Sequence, residues 1–120
     1  MQKAQVIDLA DALKRAMNDV PFLRRMFDEF QQILPGAVAG IRQSADSGAW
    51  DQLRKNAHQL KGSAASLSAG GIALAALELE LIGKNGNFAD AGPALDRLNH
   101  AVEEFQRQLA LIDWDALRSA

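Results

Sequence analysis

Apolar residues recur at helical spacing along almost the whole of this chain, and this pattern restricts its fold more than any other feature. No run of β-branched or aromatic residues alternates with polar ones, and tyrosine is absent, so nothing in the sequence favours a strand. Short turn signals separate the helical segments, and such short connections are typical of antiparallel helices. The sequence therefore predicts an all-α fold, an antiparallel four-helix bundle with an additional N-terminal helix.

Five helical segments follow from the apolar period and the capping residues. They are predicted over about 6–17, 21–41, 49–68, 72–83 and 91–112. Asn18 or Asp19 is expected to cap the second helix, with Pro21 in its first turn. Pro35 and Gly36 predict a kink or a short break inside that helix.

The connections are predicted from glycine and asparagine. Ala69-Gly70-Gly71 is expected to form the turn between the third and fourth helices, and residues 84–87 are expected to form a loop. The tail after Asp113 either extends the last helix or frays.

Length and composition limit the organisation of the chain. With 120 residues, of which 48% are hydrophobic, one globular domain over residues 1–120 is expected, with a core over about 20–112. The formal net charge is −2 and no block of basic residues stands out, so no nucleic-acid partner is expected. The chain has no cysteine, no signal-peptide pattern and no apolar stretch long enough for a membrane span. A cytoplasmic monomer is the expectation from these features.

The third predicted helix places one histidine opposite its core face. On a helical wheel of about 100° per residue, the apolar residues of this helix lie roughly opposite His58. That core face consists of Leu53, Ala57, Leu60, Ala64 and Leu67. The residues that share the solvent face with His58 are mostly charged or small, namely Asp51, Arg54, Lys55, Lys61, Gly62 and Ala65.

The neighbours of His58 indicate a chemical role. Gly62 lies one turn after His58 on the exposed face, where glycine costs a helix roughly 1 kcal/mol relative to alanine with no packing gain. A missing side chain there lets another protein approach the imidazole closely. A largely neutral imidazole is a nucleophile able to attack an acyl phosphate. Lys61 is a mobile cation suited to a phosphoryl group on the ring, and Arg54 and Lys55 add positive potential.

The segment Ala57-His58-Gln59-Leu60-Lys61-Gly62-Ser63-Ala64 resembles the A-H-x-L-K-G-S-A signature of histidine-containing phosphotransfer (HPt) domains. The similarity continues outside this octet and covers about residues 20–110. It includes Phe22-Leu23 with Phe27 and Phe30, Pro35, Gly48-Ala49-Trp50 and Leu79-Glu80. One departure is Ser68, where the family usually has glycine.

The resemblance implies a phosphotransfer intermediate of a multistep, two-component phosphorelay. His58 would accept a phosphoryl group from an aspartate of a receiver domain and pass it to another. Lys61 would neutralise the phosphate, Gly62 would give access, and Glu80 falls where a polar residue orients the other imidazole nitrogen. The resemblance implies response-regulator receiver domains as partners, and a sensor histidine kinase as a further one. No cofactor of its own is expected, since Mg²⁺ would come with the receiver.

Two alternatives remain open at the level of sequence. The bundle is either a phosphocarrier or a non-catalytic interaction module that docks on a receiver or a kinase. The chain is either a stand-alone protein or the histidine domain of a hybrid or chemotaxis-type sensor kinase. It carries no Gly-rich nucleotide-binding loop, so kinase activity of its own is not expected.

Other helical-bundle chemistries fit the residues less well. Di-iron sites need Glu-x-x-His pairs, but Lys55 precedes His58 and Arg97 precedes His100 at that spacing. A b-type haem with Met and His ligands is disfavoured because His58 faces away from the core. Apolar residues near the start of the second helix are expected to stay exposed as a docking surface, namely Met17, Val20 and Phe22.

Overall fold

The computed structural model describes residues 5–119, and within that range the chain forms helices and turns and no strand. The α-helices are α1 (Leu9–Arg15), α2 (Val20–Asp46), α3 (Trp50–Ser66), α4 (Gly70–Asn85), α5 (Ala91–Ala110) and α6 (Trp114–Ser119). A short 3₁₀ turn, Phe88–Asp90, precedes α5. The predicted all-α class is confirmed. No helix in the described part of the chain is both long enough and apolar enough to cross a membrane.

The four long helices α2 to α5 form the bundle. Each packs on the next in sequence, and α2 also contacts α5, which closes the bundle. Between α3 and α4 the contacts run in opposite chain directions, because residues early in α3 meet residues late in α4. The two short helices α1 and α6 both pack against α2.

Aromatic side chains fill the centre of the core. Phe27 and Phe105 are fully buried with ring centroids 6.0 Å apart, and Phe30 meets Phe105 edge-on at 5.4 Å. The ring of Trp114 from α6 lies 6.1 Å from that of Phe27 and covers this cluster from outside. Edge-to-face and tilted pairs of this kind add to the stabilisation that burial provides. The tail after Asp113 therefore forms a separate short helix that packs on the bundle.

The start of α2 follows the capping prediction. Of the kink or short break expected at Pro35 and Gly36, the break is wrong. The Asp19 side chain accepts a hydrogen bond from the amide of Phe22 at 3.1 Å, and Pro21 lies in the first turn. The helix then runs without a break through Pro35. Pro35 and Gln31 are both exposed, so water can reach the carbonyl that loses its amide donor, while buried Leu34 holds this turn against the core.

Several predicted helix boundaries move by a few residues. The first helix begins at Leu9 instead of about Val6, and α3 ends at Ser66. Gly70 and Gly71 belong to α4, which continues to Asn85 and is ended by Gly86 in the left-handed conformation, with φ of 72°. These residues were predicted as turn or loop because glycine and asparagine usually interrupt helices.

The expected docking surface near the start of α2 is only partly exposed. Met17 is 87% exposed and Phe22 is 40% exposed, as predicted, but Val20 is buried, with 7% of its surface accessible. Val20 is the first residue of α2, and it faces inward, where sequence alone suggested a solvent position.

The turn between α3 and α4 depends on Ser68 and not on a glycine. Ser68 has φ of 58°, in the left-handed region that glycine adopts most easily. Its hydroxyl donates a hydrogen bond of 2.6 Å to Asp11, and its carbonyl accepts one of 2.9 Å from the amide of Asp8. The Ser68 hydroxyl, with Arg15 beside it, lowers the pKa of Asp11. The serine therefore attaches α1 to this turn of the bundle.

Substitutions at Ser68 separate the effect of its side-chain hydrogen bond from the effect of its left-handed backbone conformation. We expect Ser68→Ala to lower the free energy of unfolding by about 1 kcal/mol through the lost hydrogen bond. Ser68→Gly loses the same bond but regains roughly 1 kcal/mol from relief of the left-handed conformation, so it should remain near wild type. Urea unfolding of the three proteins measures the difference. Equal losses in both variants would contradict the role of the backbone conformation.

Candidate functional site

Helix α3 exposes His58 as its periodicity predicts. Leu53, Ala57, Leu60 and Ala64 are buried on the core side of this helix. The side chain of His58 is 66% exposed on the other side. The imidazole is therefore accessible to another protein.

A carboxylate from the neighbouring helix contacts this imidazole. Nδ1 of His58 lies 3.1 Å and 3.2 Å from the two carboxylate oxygens of Glu80, which projects from α4. A carboxylate only accepts hydrogen bonds, so this contact requires a proton on Nδ1. In the neutral imidazole, Nε2 then carries the free lone pair. The contact therefore selects the tautomer in which Nε2, the nitrogen on the solvent side, carries the lone pair.

Lys61 binds the same carboxylate. Its Nζ lies 2.7 Å from Oε1 of Glu80, and the Glu80 side chain is only 16% exposed. The Lys61 ammonium, with the His58 imidazole beside it, lowers the pKa of Glu80. Glu80 is thus an ionised group held between two side chains of α3, and the three residues form one connected cluster.

Gly62 leaves the space beside His58 open. A Cβ atom built on Gly62 has no other heavy atom within 4 Å outside its own helix and neighbours. Nothing in the packing of the described residues requires glycine at this position. The open space beside His58 therefore has no packing function within the described part of the chain.

Arg54 and Lys55 are engaged with an acid on their own helix. Arg54 lies 2.9 Å and Lys55 3.3 Å from the carboxylate of Asp51. The pairs are spaced three and four residues apart, the spacing at which helical side chains meet. Among the described residues, neither cation forms an ion pair with Glu80, and Asp51 balances part of their potential. Sequence reasoning placed Asp51 on this face but overlooked its pairing, although its spacing to both basic residues was the available signal.

The described part of the chain was also compared with the requirements of a metal site. Within residues 5–119, no group of three or more His, Asp or Glu side chains is placed to hold a metal ion. The charged groups of the His58 cluster are instead the Glu80 carboxylate and the Lys61 ammonium, which are paired with each other.

The protein is a small helical bundle with an exposed histidine whose Nδ1 contacts a carboxylate from the neighbouring helix. The family model for the Hpt domain matches residues 22–108, which include nearly all of the four bundle helices. The chain therefore belongs to the Hpt domain family. Domains of this family act in histidine phosphotransfer within phosphorelays, where they meet receiver domains and kinases. Searches of curated proteins and of solved structures returned no significant match.

The coupling between Lys61 and Glu80 has a measurable pH dependence. Because folding holds the pKa of Glu80 below its ordinary value of 4.5, the carboxylate favours the folded state above that pH. This contribution is lost as the pH falls through the lowered pKa. We expect Lys61→Met to raise the Glu80 pKa, so that stability falls less steeply with acid than in the wild type. Carboxyl ¹³C NMR titration and urea unfolding across the acid range measure both effects.

Lys55→Met is the matched control for that variant. It also removes an exposed ammonium from α3, but Lys55 pairs with Asp51 and not with Glu80. The Glu80 pKa should therefore stay at its wild-type position. An equal rise in both variants would mean that general surface charge, and not the Lys61 contact, controls Glu80.

Proposed function

We propose that this chain is a histidine phosphotransfer intermediate whose phosphoacceptor is Nε2 of His58. The observation that carries the proposal is the contact of Nδ1 with Glu80 beside an exposed imidazole. This contact holds the ring proton on Nδ1 and leaves the Nε2 lone pair directed at a partner. Membership of the Hpt domain family supports the same chemistry.

The proposed step is an in-line transfer from an aspartyl phosphate. The Nε2 lone pair forms a bond to phosphorus while the bond from phosphorus to the aspartate oxygen breaks, and the aspartate leaves as a carboxylate. The phosphohistidine then passes the group to an aspartate of a second receiver by the reverse of this step. Mg²⁺ at these steps would belong to the receiver, so the chain itself needs no cofactor.

The surrounding residues have distinct proposed roles. Glu80 orients the imidazole and stabilises positive charge that develops on the ring during attack. Lys61 lies beside the reacting group and is placed to turn from Glu80 toward the phosphoryl oxygens. Gly62 lets the receiver surface approach the ring, and Arg54 and Lys55 attract its acidic phosphorylation site.

The chain is proposed to carry phosphoryl groups without kinase activity of its own, as a monomer that meets receivers in the cytoplasm. Incubation with a receiver labelled on its aspartate should transfer acid-labile, base-stable phosphate to the chain. A second reaction, with ATP and a sensor kinase domain in place of the receiver, identifies which donor the site accepts. Binding without transfer from either donor would overturn the proposal and favour the non-catalytic interaction module.

A further inference from the structure

Helices α3 and α4 approach each other most closely at Gly83. A Cβ atom built on Gly83 would lie 2.8 Å from the amide nitrogen of Arg54 and 2.8 Å from the carbonyl oxygen of Trp50. It would also lie 3.1 Å from Cα of Arg54. These are backbone atoms of a helix, so they cannot rotate aside as a side chain would. Only glycine permits the present separation of the two helices at this point.

This close approach lies next to the His58 cluster. Gly83 follows Glu80 by three residues, so the two share one face of α4. Arg54 precedes His58 by four residues and shares one face of α3 with it. The backbone contact at Gly83 is therefore one helical turn from the contact between Glu80 and His58. A change in helix separation at Gly83 is therefore transmitted through the rigid helical backbone to the contact between Glu80 and His58.

We propose that Gly83 is a positioning residue that sets the distance between the Glu80 carboxylate and Nδ1 of His58. The inference rests on the proposed function, because it concerns the same imidazole. Contacts of 3.1 Å and 3.2 Å leave little room for displacement before the hydrogen bond is lost. Any side chain at position 83 forces α4 away from α3 and withdraws the carboxylate. Nδ1 then loses its acceptor, and the proton redistributes to Nε2, where it blocks the lone pair that attacks phosphorus.

The decisive variant is Gly83→Ala, with Gly92→Ala as its matched control. Gly92 is also a helical glycine, but a Cβ atom there meets nothing within 4 Å, so this change adds a methyl group without moving a helix. Ring ¹⁵N NMR of His58 reports the tautomer directly. We expect the Nδ1–H form to predominate in the wild type and Gly92→Ala, and the Nε2–H form to rise in Gly83→Ala. Phosphoryl uptake from a labelled receiver should fall in Gly83→Ala by between roughly tenfold and a hundredfold.

A second variant keeps the test independent of the folding of Gly83→Ala. Glu80→Asp withdraws the carboxylate by about 1.5 Å, one carbon–carbon bond, without touching the helix contact. It should shift the tautomer in the same direction as Gly83→Ala. An unchanged tautomer in Glu80→Asp, or an unchanged tautomer and uptake rate in folded Gly83→Ala, would overturn the role assigned to Gly83.

The two proposals fail in different experiments. A wild-type chain that takes up no phosphoryl group from either donor overturns the proposed function, whatever the tautomer of His58. If the wild-type chain takes up the phosphoryl group, and Gly83→Ala has the same uptake rate and the same His58 tautomer, only the positioning inference is overturned.

Discussion

His58→Gln should take up no labelled phosphate from a phosphorylated receiver while remaining folded. The glutamine amide has no lone pair comparable in nucleophilicity to that of imidazole, so the bond to phosphorus cannot form. Because the His58 side chain is 66% exposed and buries little apolar surface, the free energy of unfolding should change by no more than about 0.5 kcal/mol. Glu80 keeps its contact with Lys61 in this variant, so no ionised carboxylate is left unpaired. Thin-layer or gel detection of acid-labile, base-stable label measures the loss.

The second histidine of the chain supplies the matched control. His100 is exposed on α5 and lies outside the Glu80 cluster. His100→Gln should therefore take up phosphate at the wild-type rate. If uptake persisted in His58→Gln and disappeared in His100→Gln, the phosphoacceptor would be His100 and the assignment to His58 would be wrong.

Gly62→Glu should fold but lose phosphoryl uptake. The position is exposed and its Cβ has open space, so the variant should fold, and replacement of a mid-helix glycine should add up to about 1 kcal/mol of stability. The long acidic side chain lies one turn from His58, where it obstructs the receiver surface and repels the phosphoryl group. We expect phosphoryl uptake to fall to background in a protein that unfolds at slightly higher urea than the wild type.

Two further substitutions at the same position separate size from charge. Gly62→Gln has nearly the size of the glutamate variant without its charge, and Gly62→Ala adds only a methyl group. A block in both the Gln and Glu variants, with uptake retained in Gly62→Ala, indicates steric exclusion of the partner. Wild-type transfer rates in Gly62→Glu would contradict docking over this face of α3.

The apolar period predicted the buried and exposed sides of single helices correctly, because helix geometry alone determines which residues lie on the same side. The wheel of α3 placed His58 opposite the core before any neighbour was known, and the buried Leu53, Ala57, Leu60 and Ala64 confirm that face. Capping chemistry located the start of α2 at Asn18 or Asp19 for the same local reason, and the cap is Asp19. The resemblance around His58, together with the helical period, was enough to predict the fold class and the family.

Local rules failed where tertiary packing outweighed them. Pro35 and Gly36 were expected to kink or break α2, yet the helix continues without a break, with Leu34 buried beside the proline. Gly83 was expected to end α4, yet it lies inside the helix, where a Cβ atom would collide with the backbone of α3. In both cases a residue with poor helix propensity is retained in the helix by contacts that no single-helix pattern contains.

The residues that share a face with His58 could be read from the sequence alone, because they follow from the geometry of one helix. The sequence also suggested Glu80 through resemblance, but no spacing along the chain relates residue 58 to residue 80. The contacts of Glu80 with both His58 and Lys61 required the three-dimensional structure, since their distances depend on the register and separation of α3 and α4. That separation is set by the backbone contact at Gly83, where the missing side chain brings the two helices close enough for the carboxylate to reach the imidazole.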